Sequence, residues 1–190
     1  MQLNMKKKFL LIVFLLFLLS CGGVEETDND SDEMTDMESN DDENSIEFPW
    51  TDPHTGLVWS VKNDRYGVKH DSANYFCKNM KENEKKDWRI PTISELRTLI
   101  KNCSKTETTG QCKASDSCQT SACITASCGG CENSSDGRYS KLGDTGWYWS
   151  STRVDGVQSG NLLFVGFSAG YVNKAYEMEK LMIRCVLKEE

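Results

Sequence analysis

Six of the nine cysteines lie within one 29-residue segment of this 190-residue chain. The residues between them are mostly Ser, Thr, Gly, Ala and Lys, which cannot build a hydrophobic core. The segment therefore needs covalent links or a metal ion to hold a shape. We expect residues 103–131 to form a stapled loop insertion that projects from the domain. Its cysteines are Cys103, Cys112, Cys118, Cys123, Cys128 and Cys131.

The first 20 residues predict a lipoprotein signal peptide. Three lysines precede an apolar run over residues 9–19, which is too short to span a bilayer but suits a signal sequence. It ends in Leu18-Leu19-Ser20-Cys21, which resembles the bacterial lipobox. We therefore expect Cys21 to carry diacylglyceryl and palmitate-type acyl chains that anchor the mature chain in the cell envelope. Gly22 favours the outer membrane, and a plain secretory peptide is the alternative.

Residues 21–47 predict a lipidated cysteine followed by a disordered acidic tether. Residues 22–47 contain twelve Asp or Glu and no Lys or Arg, so they cannot bury enough apolar surface to fold. A calcium-binding interpretation lacks the EF-hand loop pattern. The whole chain has a formal charge of −7, but residues 48–190 contain 19 Lys and Arg against 17 Asp and Glu. The remaining +2 gives no support to a nucleic-acid partner, and the length suits one domain.

Export favours disulfide bonds for the eight cysteines other than Cys21. A zinc site needs two close cysteine pairs, or one pair with histidines, and the clustered six contain only Cys128 and Cys131 as a close pair. Neither His54 nor His70 is near them in sequence. A redox role for this pair lacks the βαβ pattern of thioredoxin-like proteins. Disulfides are the favoured interpretation over metal and redox chemistry, and six cysteines allow 15 pairings.

Two helices are predicted from periodicity and capping signals. Thr92 and Glu95 form a capping box after Pro91, and an apolar face follows at helical spacing. Trp88 precedes the cap as an apolar anchor. A second helix, capped by Asp71 or Ser72, places Ala73, Phe76, Cys77 and Met80 on one face.

Short strands are predicted over residues 56–61, 147–152 and 161–167. The last is apolar on both faces, which suggests a central strand. Near the C-terminus, period-two alternation places Cys185 on one face with Leu181, Ile183 and Leu187. Two helices followed by antiparallel strands indicate an α+β domain.

Four motifs occur in a characteristic order: Thr51-Asp52-Pro53-His54-Thr55-Gly56-Leu57-Val58-Trp59, then Asp87-Trp88-Arg89-Ile90-Pro91-Thr92-Ile93-Ser94-Glu95-Leu96, Tyr148-Trp149-Ser150-Ser151-Thr152 and Ile183-Arg184-Cys185-Val186. Together they resemble the Lcl C-terminal domain family, named for the C-terminal domain of a collagen-like bacterial adhesin, over residues 48–187. The resemblance implies a C-type-lectin-like fold, in which a disulfide joins the first helix to the last strand. Cys77 and Cys185 match those positions. The cysteine-rich segment departs from the family pattern.

No catalytic arrangement is recognisable in the sequence. We interpret His54 and His70 as surface turn residues, and Ser150 and Ser151 as side chains that bond the backbone. Four tryptophans are expected in the core, and three tyrosines are candidates for a platform that stacks on sugar rings. The tryptophans are Trp59, Trp88, Trp147 and Trp149, and the tyrosines are Tyr148, Tyr171 and Tyr176.

Three functions remain open: a binding module, an enzyme and a structural role. The resemblance implies a non-catalytic, adhesin-like binding domain for an extracellular glycan or polyanion, with no cofactor and no metal. A basic patch of Lys174, Lys180, Arg184 and Lys188 could assist it. The alternatives are a structural envelope lipoprotein without a ligand and a relative of the sulfatase-modifying enzymes, which share the fold class but need a reactive thiol. The sequence leaves the oligomeric state open.

Overall fold

The structure is a computed structural model that describes residues 46–61, 63–156 and 160–189, with the backbone alone for residues 63–65. The predicted signal peptide, Cys21 and nearly all of the tether lie outside the described residues. Within the described ranges, no helix is long and apolar enough to cross a membrane.

The described residues form an α+β domain, as the sequence predicts. Two α-helices, α1 (His70–Asn79) and α2 (Ile93–Arg97), accompany two sheets. The smaller sheet has the order β1-β2-β8 and the larger one β3-β7-β4-β5-β6. The strands are β1 (Trp50–Thr51), β2 (Leu57–Trp59), β3 (Asn63–Val68), β4 (Trp147–Arg153), β5 (Asn161–Gly166), β6 (Tyr171–Tyr176), β7 (Leu181–Ile183) and β8 (Val186–Lys188). All strand pairs are antiparallel except β4 with β7.

Both faces of the larger sheet are covered. One face carries Tyr148, Leu163 and Val165 into a core with α2 and the cysteine-rich segment. The other carries Trp149 and Phe164 into a second core with α1. Strand β5 lies between β4 and β6, so its apolar residues on both faces are buried, which confirms the predicted central strand.

The two helices begin for different reasons. At α2 the predicted capping box is confirmed: the Thr92 hydroxyl accepts from the Glu95 N–H, and the Glu95 carboxylate accepts from the Thr92 N–H. The prediction for α1 was wrong. Lys69 is its N-cap without a side-chain bond, and His70 is its first residue. His70 donates its backbone N–H to the Glu177 carbonyl, so a contact distant in sequence fixes this helix start.

The cysteine-rich segment does not project from the domain, contrary to expectation. Three nested disulfides hold it: Cys103–Cys131, Cys112–Cys128 and Cys118–Cys123. Cys103, Cys112 and Cys128 are buried in the core beside α2. Since all six cysteines are bonded in pairs, the disulfide interpretation holds over the metal one.

Arg97 explains how so polar a segment packs inward. Its buried guanidinium donates to the backbone carbonyls of Thr106 at 3.0 Å, Ala114 at 2.6 Å and Glu107 at 2.7 Å. Burial lowers the pKa of Arg97, but an arginine keeps its charge in proteins. A buried cation therefore gathers carbonyls that would otherwise lack partners.

A fourth disulfide joins Cys77 of α1 to Cys185, which lies between β7 and β8, with an S–S distance of 2.02 Å. This is the pair that the family resemblance implies. Both sulfurs are buried, and Leu181, Ile183 and Leu187 share their core, as the alternation predicted. The bridge holds α1 to the C-terminal strands.

Candidate functional site

The larger sheet carries aromatic side chains that are open to solvent at one end. Trp147 opens β4, lies opposite Gly166 of β5, and remains 49% exposed. Gly166 in turn lies opposite Tyr171 of β6, so the three residues cross one face in a row. Tyr66 of β3 is 89% exposed. We call Tyr66, Trp147 and Tyr171 the aromatic platform.

Trp147 is held in place by Phe164 and Tyr171. The ring of Phe164 lies 5.7 Å from the Trp147 ring and 5.7 Å from the Tyr171 ring, which it meets edge-on. The Trp147 side chain also hydrogen-bonds to the Tyr171 phenol, although burial of that phenol is the larger influence and raises its pKa. A Cβ atom on Gly166 would overlap the Tyr171 ring. The missing side chain therefore makes room for Tyr171 to lie across the sheet beside Trp147.

A shallow pocket of about 260 Å³ opens between β3, β4 and β7. Tyr66 and Trp147 line it, and exposed Lys180 places a cation at its rim. Gly67 packs against the backbone of Lys180, and Gly146 packs against the side chain of Met182, so a Cβ atom at either glycine would clash. Large exposed aromatics around a floor set by glycines, with one charge among the described side chains, are typical of a site for a flat, partly polar ligand.

A buried ion pair joins Asp144, which precedes β4, to Arg184, which lies between β7 and β8. Arg184 donates from Nη2 to Asp144 Oδ1 at 2.7 Å and from Nε to Asp144 Oδ2 at 3.1 Å. Its Nη1 donates to the Ser60 carbonyl at 2.6 Å, and the Phe48 ring lies 4.9 Å from the guanidinium. Tyr148 donates its hydroxyl to Asp144 at 2.8 Å. Burial and then the Asp144 charge raise the pKa of Tyr148, so this hydroxyl remains a donor.

A sequence model of the Lcl C-terminal domain matches residues 50–187. The chain belongs to the Lcl C-terminal domain family. The domain is therefore of an adhesin-like family. No curated protein and no solved structure gave a significant match, so the C-type-lectin-like character of this Lcl C-terminal domain stays a prediction.

The first family motif builds a turn. Asp52 is buried and accepts from the His54 N–H at 3.0 Å and from Lys141 Nζ at 3.2 Å. Burial acts to raise the pKa of Asp52, but the His54 N–H and Lys141 outweigh it and hold the pKa below its ordinary value. The His54 side chain is exposed, as expected for a surface turn residue. In this Lcl C-terminal domain, then, the motif has a structural role.

The predicted basic patch does not form. Arg184 is buried in the ion pair described above, which excludes it from any surface. Lys174 donates to Ser121 Oγ at 3.0 Å, next to Asp155. Lys188 belongs to the smaller sheet, and Lys180 lies at the aromatic pocket. The sequence showed four cations near the C-terminus but could not show that they point apart.

The predictions for Trp147 and Tyr148 were both wrong, in opposite directions. Trp147 was expected in the core and is half exposed, whereas Tyr148 was a platform candidate and is fully buried. Tyr176 is exposed, but strand alternation puts it on the opposite face of β6 from Tyr171. Of the three predicted tyrosines, only Tyr171 reaches the platform. One signal in the sequence could have predicted that Trp147 is exposed. It is the first residue of its strand and directly follows Gly146, and the core that packs on this face of the sheet does not extend to the strand end.

The predictions for the other tryptophans and the serines are confirmed. Trp59, Trp88 and Trp149 are buried in the two cores. Ser150 donates to the Leu163 carbonyl at 2.6 Å, and Ser151 donates to the Pro91 carbonyl at 3.3 Å. These hydroxyls therefore stabilise the backbone. His70, expected at the surface, is instead buried.

A second pocket, of about 490 Å³, lies between β4 and the cysteine-rich segment. Its polar groups already bond one another: Asp116 accepts from Thr152 Oγ1 at 3.2 Å, and Gln119 donates to the Asp116 carbonyl at 2.6 Å. Arg153 is paired with Glu177 at 3.0 Å. None of the described residues that line this pocket is aromatic, so the aromatic platform is the stronger candidate site.

Proposed function

We propose that this chain is an envelope lipoprotein whose domain binds extracellular glycans and catalyses no reaction, and that a sugar ring stacks on Trp147. The observation that carries the proposal is a half-exposed indole, supported by Phe164 and Tyr171, beside an open pocket. A sugar ring has one face of C–H groups that packs on the negative face of an aromatic ring. Tyr66 offers a second surface, and Lys180 offers a donor for hydroxyl or acidic groups.

Stacking is favoured over recognition of a polyanion by charge. Polyanion binding needs several cations that face one ligand, and among the side chains that the structure describes only Lys180 lines the pocket as a cation. Arg184 is buried, and Lys174 and Lys188 lie elsewhere. In this proposal, stacking supplies most of the affinity at the platform, and the Lys180 charge adjusts it.

The absence of catalysis is part of the proposal. The sulfatase-modifying alternative needs a reactive thiol, and the eight cysteines after residue 47 form four disulfides. Ser150 and Ser151 are engaged with backbone carbonyls. These contacts favour a binding role.

The anchor and its location rest on the sequence. The lipobox at Cys21 and the acidic tether would hold the domain away from an outer membrane, where it could meet a glycan. Mass spectrometry of the mature N-terminus tests this: an acylated cysteine is expected, and an unmodified chain that starts at another residue would refute it.

A glycan array tests the binding proposal directly. The chain from residue 22 onward, folded under oxidising conditions, should bind a defined set of glycans. Trp147→Ala should abolish that binding, whereas Tyr176→Ala, an exposed aromatic on the other face, should not. If no glycan binds the wild-type chain, the structural lipoprotein without a ligand becomes the better account.

A further inference from the structure

His70 is an unusual buried group close to the aromatic platform. It is 7% exposed, although histidine in water is polar and titratable. Neither Nδ1 nor Nε2 makes a well-formed hydrogen bond among the described residues, although the Ser150 backbone lies close enough to the ring to favour its charged form. The ring meets Trp149 edge-on at 5.6 Å. Such a site accommodates a neutral imidazole and penalises an imidazolium.

The charges that face His70 come from each element around it. Burial lowers the pKa of His70 most, and the Arg153 charge on β4 lowers it further, whereas Asp71 on α1, Glu177 after β6 and the Ser150 backbone on β4 oppose them. Arg153 and Glu177 are paired at 3.0 Å, so they partly cancel. His70 is also the first residue of α1, where the helix dipole disfavours a positive charge.

Trp149 links His70 to the platform by two short routes. Its indole N–H donates to the Val68 carbonyl at 2.7 Å, at the end of the strand that carries Tyr66. Trp149 also lies directly opposite Phe164, the ring beneath Trp147 and Tyr171. A displacement of Trp149 would therefore reach all three platform residues.

We propose that His70 is a pH-sensitive positioning residue, whose protonation displaces Trp149 and weakens ligand binding at the aromatic platform. The proposal rests on the proposed function for its ligand. An imidazolium in this site lacks solvent and has only the Ser150 backbone beside it, so the ring must move towards water or towards Glu177 and Asp71. Trp149 then loses the edge contact that holds it against Val68 and Phe164.

The sign follows from linkage. The ordered platform holds His70 neutral, so it binds fewer protons than a state in which the ring is solvated. Affinity is constant above the ordinary histidine pKa of about 6.5 and falls below it, by up to about tenfold for each pH unit until the lowered pKa is reached. Below the lowered pKa of His70, the affinity falls no further.

The test compares three proteins that begin at residue 22: wild type, His70→Phe and His54→Gln. His70→Phe keeps a ring against Trp149 but cannot titrate, and His54→Gln removes the exposed histidine as a matched control. Acrylamide quenching of Trp147, obtained by difference from a Trp147→Phe variant of each protein, reports the platform without any ligand. Affinity for the strongest array glycan is measured over the same pH range.

Quenching should change and affinity should fall below about pH 6.5 in wild type and His54→Gln, and both should be flat in His70→Phe. An unchanged pH response in His70→Phe would overturn the proposal.

If no glycan binds at any pH while Trp147 quenching still changes with pH in wild type and not in His70→Phe, the proposed function fails and the coupling between His70 and the platform stands. If His70→Phe does not fold, NMR titration of the two wild-type histidine rings decides, since a His70 pKa near 6.5, or one that does not coincide with the Trp147 change, also overturns it.

Discussion

At the scale of single residues, Asp144 is a buried carboxylate that holds two other buried side chains. It is 2% exposed and accepts from Arg184 and Tyr148, which belong to separate parts of the chain. The guanidinium binds it through two nitrogens and uses a third to reach Ser60. Asp144, Arg184 and the Tyr148 hydroxyl all have hydrogen-bond partners, so the pair is tolerated although burying two charges is costly.

Replacing Asp144 with Ala should destabilise the domain by about 3–5 kcal/mol, because Arg184 would be left buried and uncompensated. Urea unfolding followed by fluorescence measures the change. Asp136→Ala removes the partner of Arg138 in an exposed pair and serves as the matched control, with an unchanged midpoint. Equal midpoints for the two variants would mean that the buried pair contributes nothing.

At the scale of elements, the platform depends on how β4, β5 and β6 meet. Trp147, Gly166 and Tyr171 stand opposite one another across these strands. The central position must lack a side chain for the Tyr171 ring to lie over it. A single glycine therefore determines whether two aromatic rings from different strands act together.

Gly166→Ala should lower glycan affinity while leaving the fold intact, because the flexible Tyr171 ring can move away from a new methyl group. The loss should be about 0.5–1.5 kcal/mol, the range measured for one aromatic contact. Calorimetric titration measures it. Gly129→Ala, at the end of a 3-10 turn, is the control and should bind as wild type does. Wild-type affinity in Gly166→Ala would exclude Tyr171 from the site.

Elements set by nearby residues were predictable, and those set by distant contacts were not. The capping box at Thr92 and Glu95 lies within four residues, and the prediction was right. The start of α1 depends on the Glu177 carbonyl, more than one hundred residues away, and the prediction was wrong. Trp147 likewise follows the strand alternation, but its exposure depends on where the core against α1 ends.

At the scale of the whole molecule, disulfides of very different span hold the domain. Cys77 and Cys185 are separated by 108 residues, whereas Cys118 and Cys123 are separated by 5. In the chain-entropy model the longer loop is worth about 4–5 kcal/mol and the shorter one about 2. The longer bridge also holds α1 against the last strands.

Replacing Cys77 and Cys185 together with Ala should therefore lower the Tm more than replacing Cys118 and Cys123 together. Thermal unfolding of the two double variants, followed by circular dichroism, measures the difference. The short bridge is the control because its loss leaves both cores closed. A larger drop for the Cys118 and Cys123 variant would contradict a role for the long bridge in closing the fold.

The sequence indicated the class of this domain and its stapled insertion, but not how the insertion packs. Its polar composition suggested a projecting loop, because composition cannot show that Arg97 gathers three of its carbonyls at the core. The nesting of the three disulfides follows from that packing. The platform was only partly predictable for the same reason: Tyr171 was a candidate, but Tyr66 and Trp147 join it only through the sheet.

The most direct test of the account is the salt dependence of glycan affinity for wild type and Trp147→Ala. Between about 0.1 M and about 1 M NaCl the Debye length falls from about 10 Å to about 3 Å, so charge-driven binding weakens strongly. We expect wild-type affinity to change by less than about threefold over this range, because exposed ion pairs contribute little to a stacked complex. Trp147→Ala should lose about 2 kcal/mol or more at either salt concentration, as truncation of a central aromatic anchor does. Affinity that collapses with salt and is the same in both proteins would contradict the account.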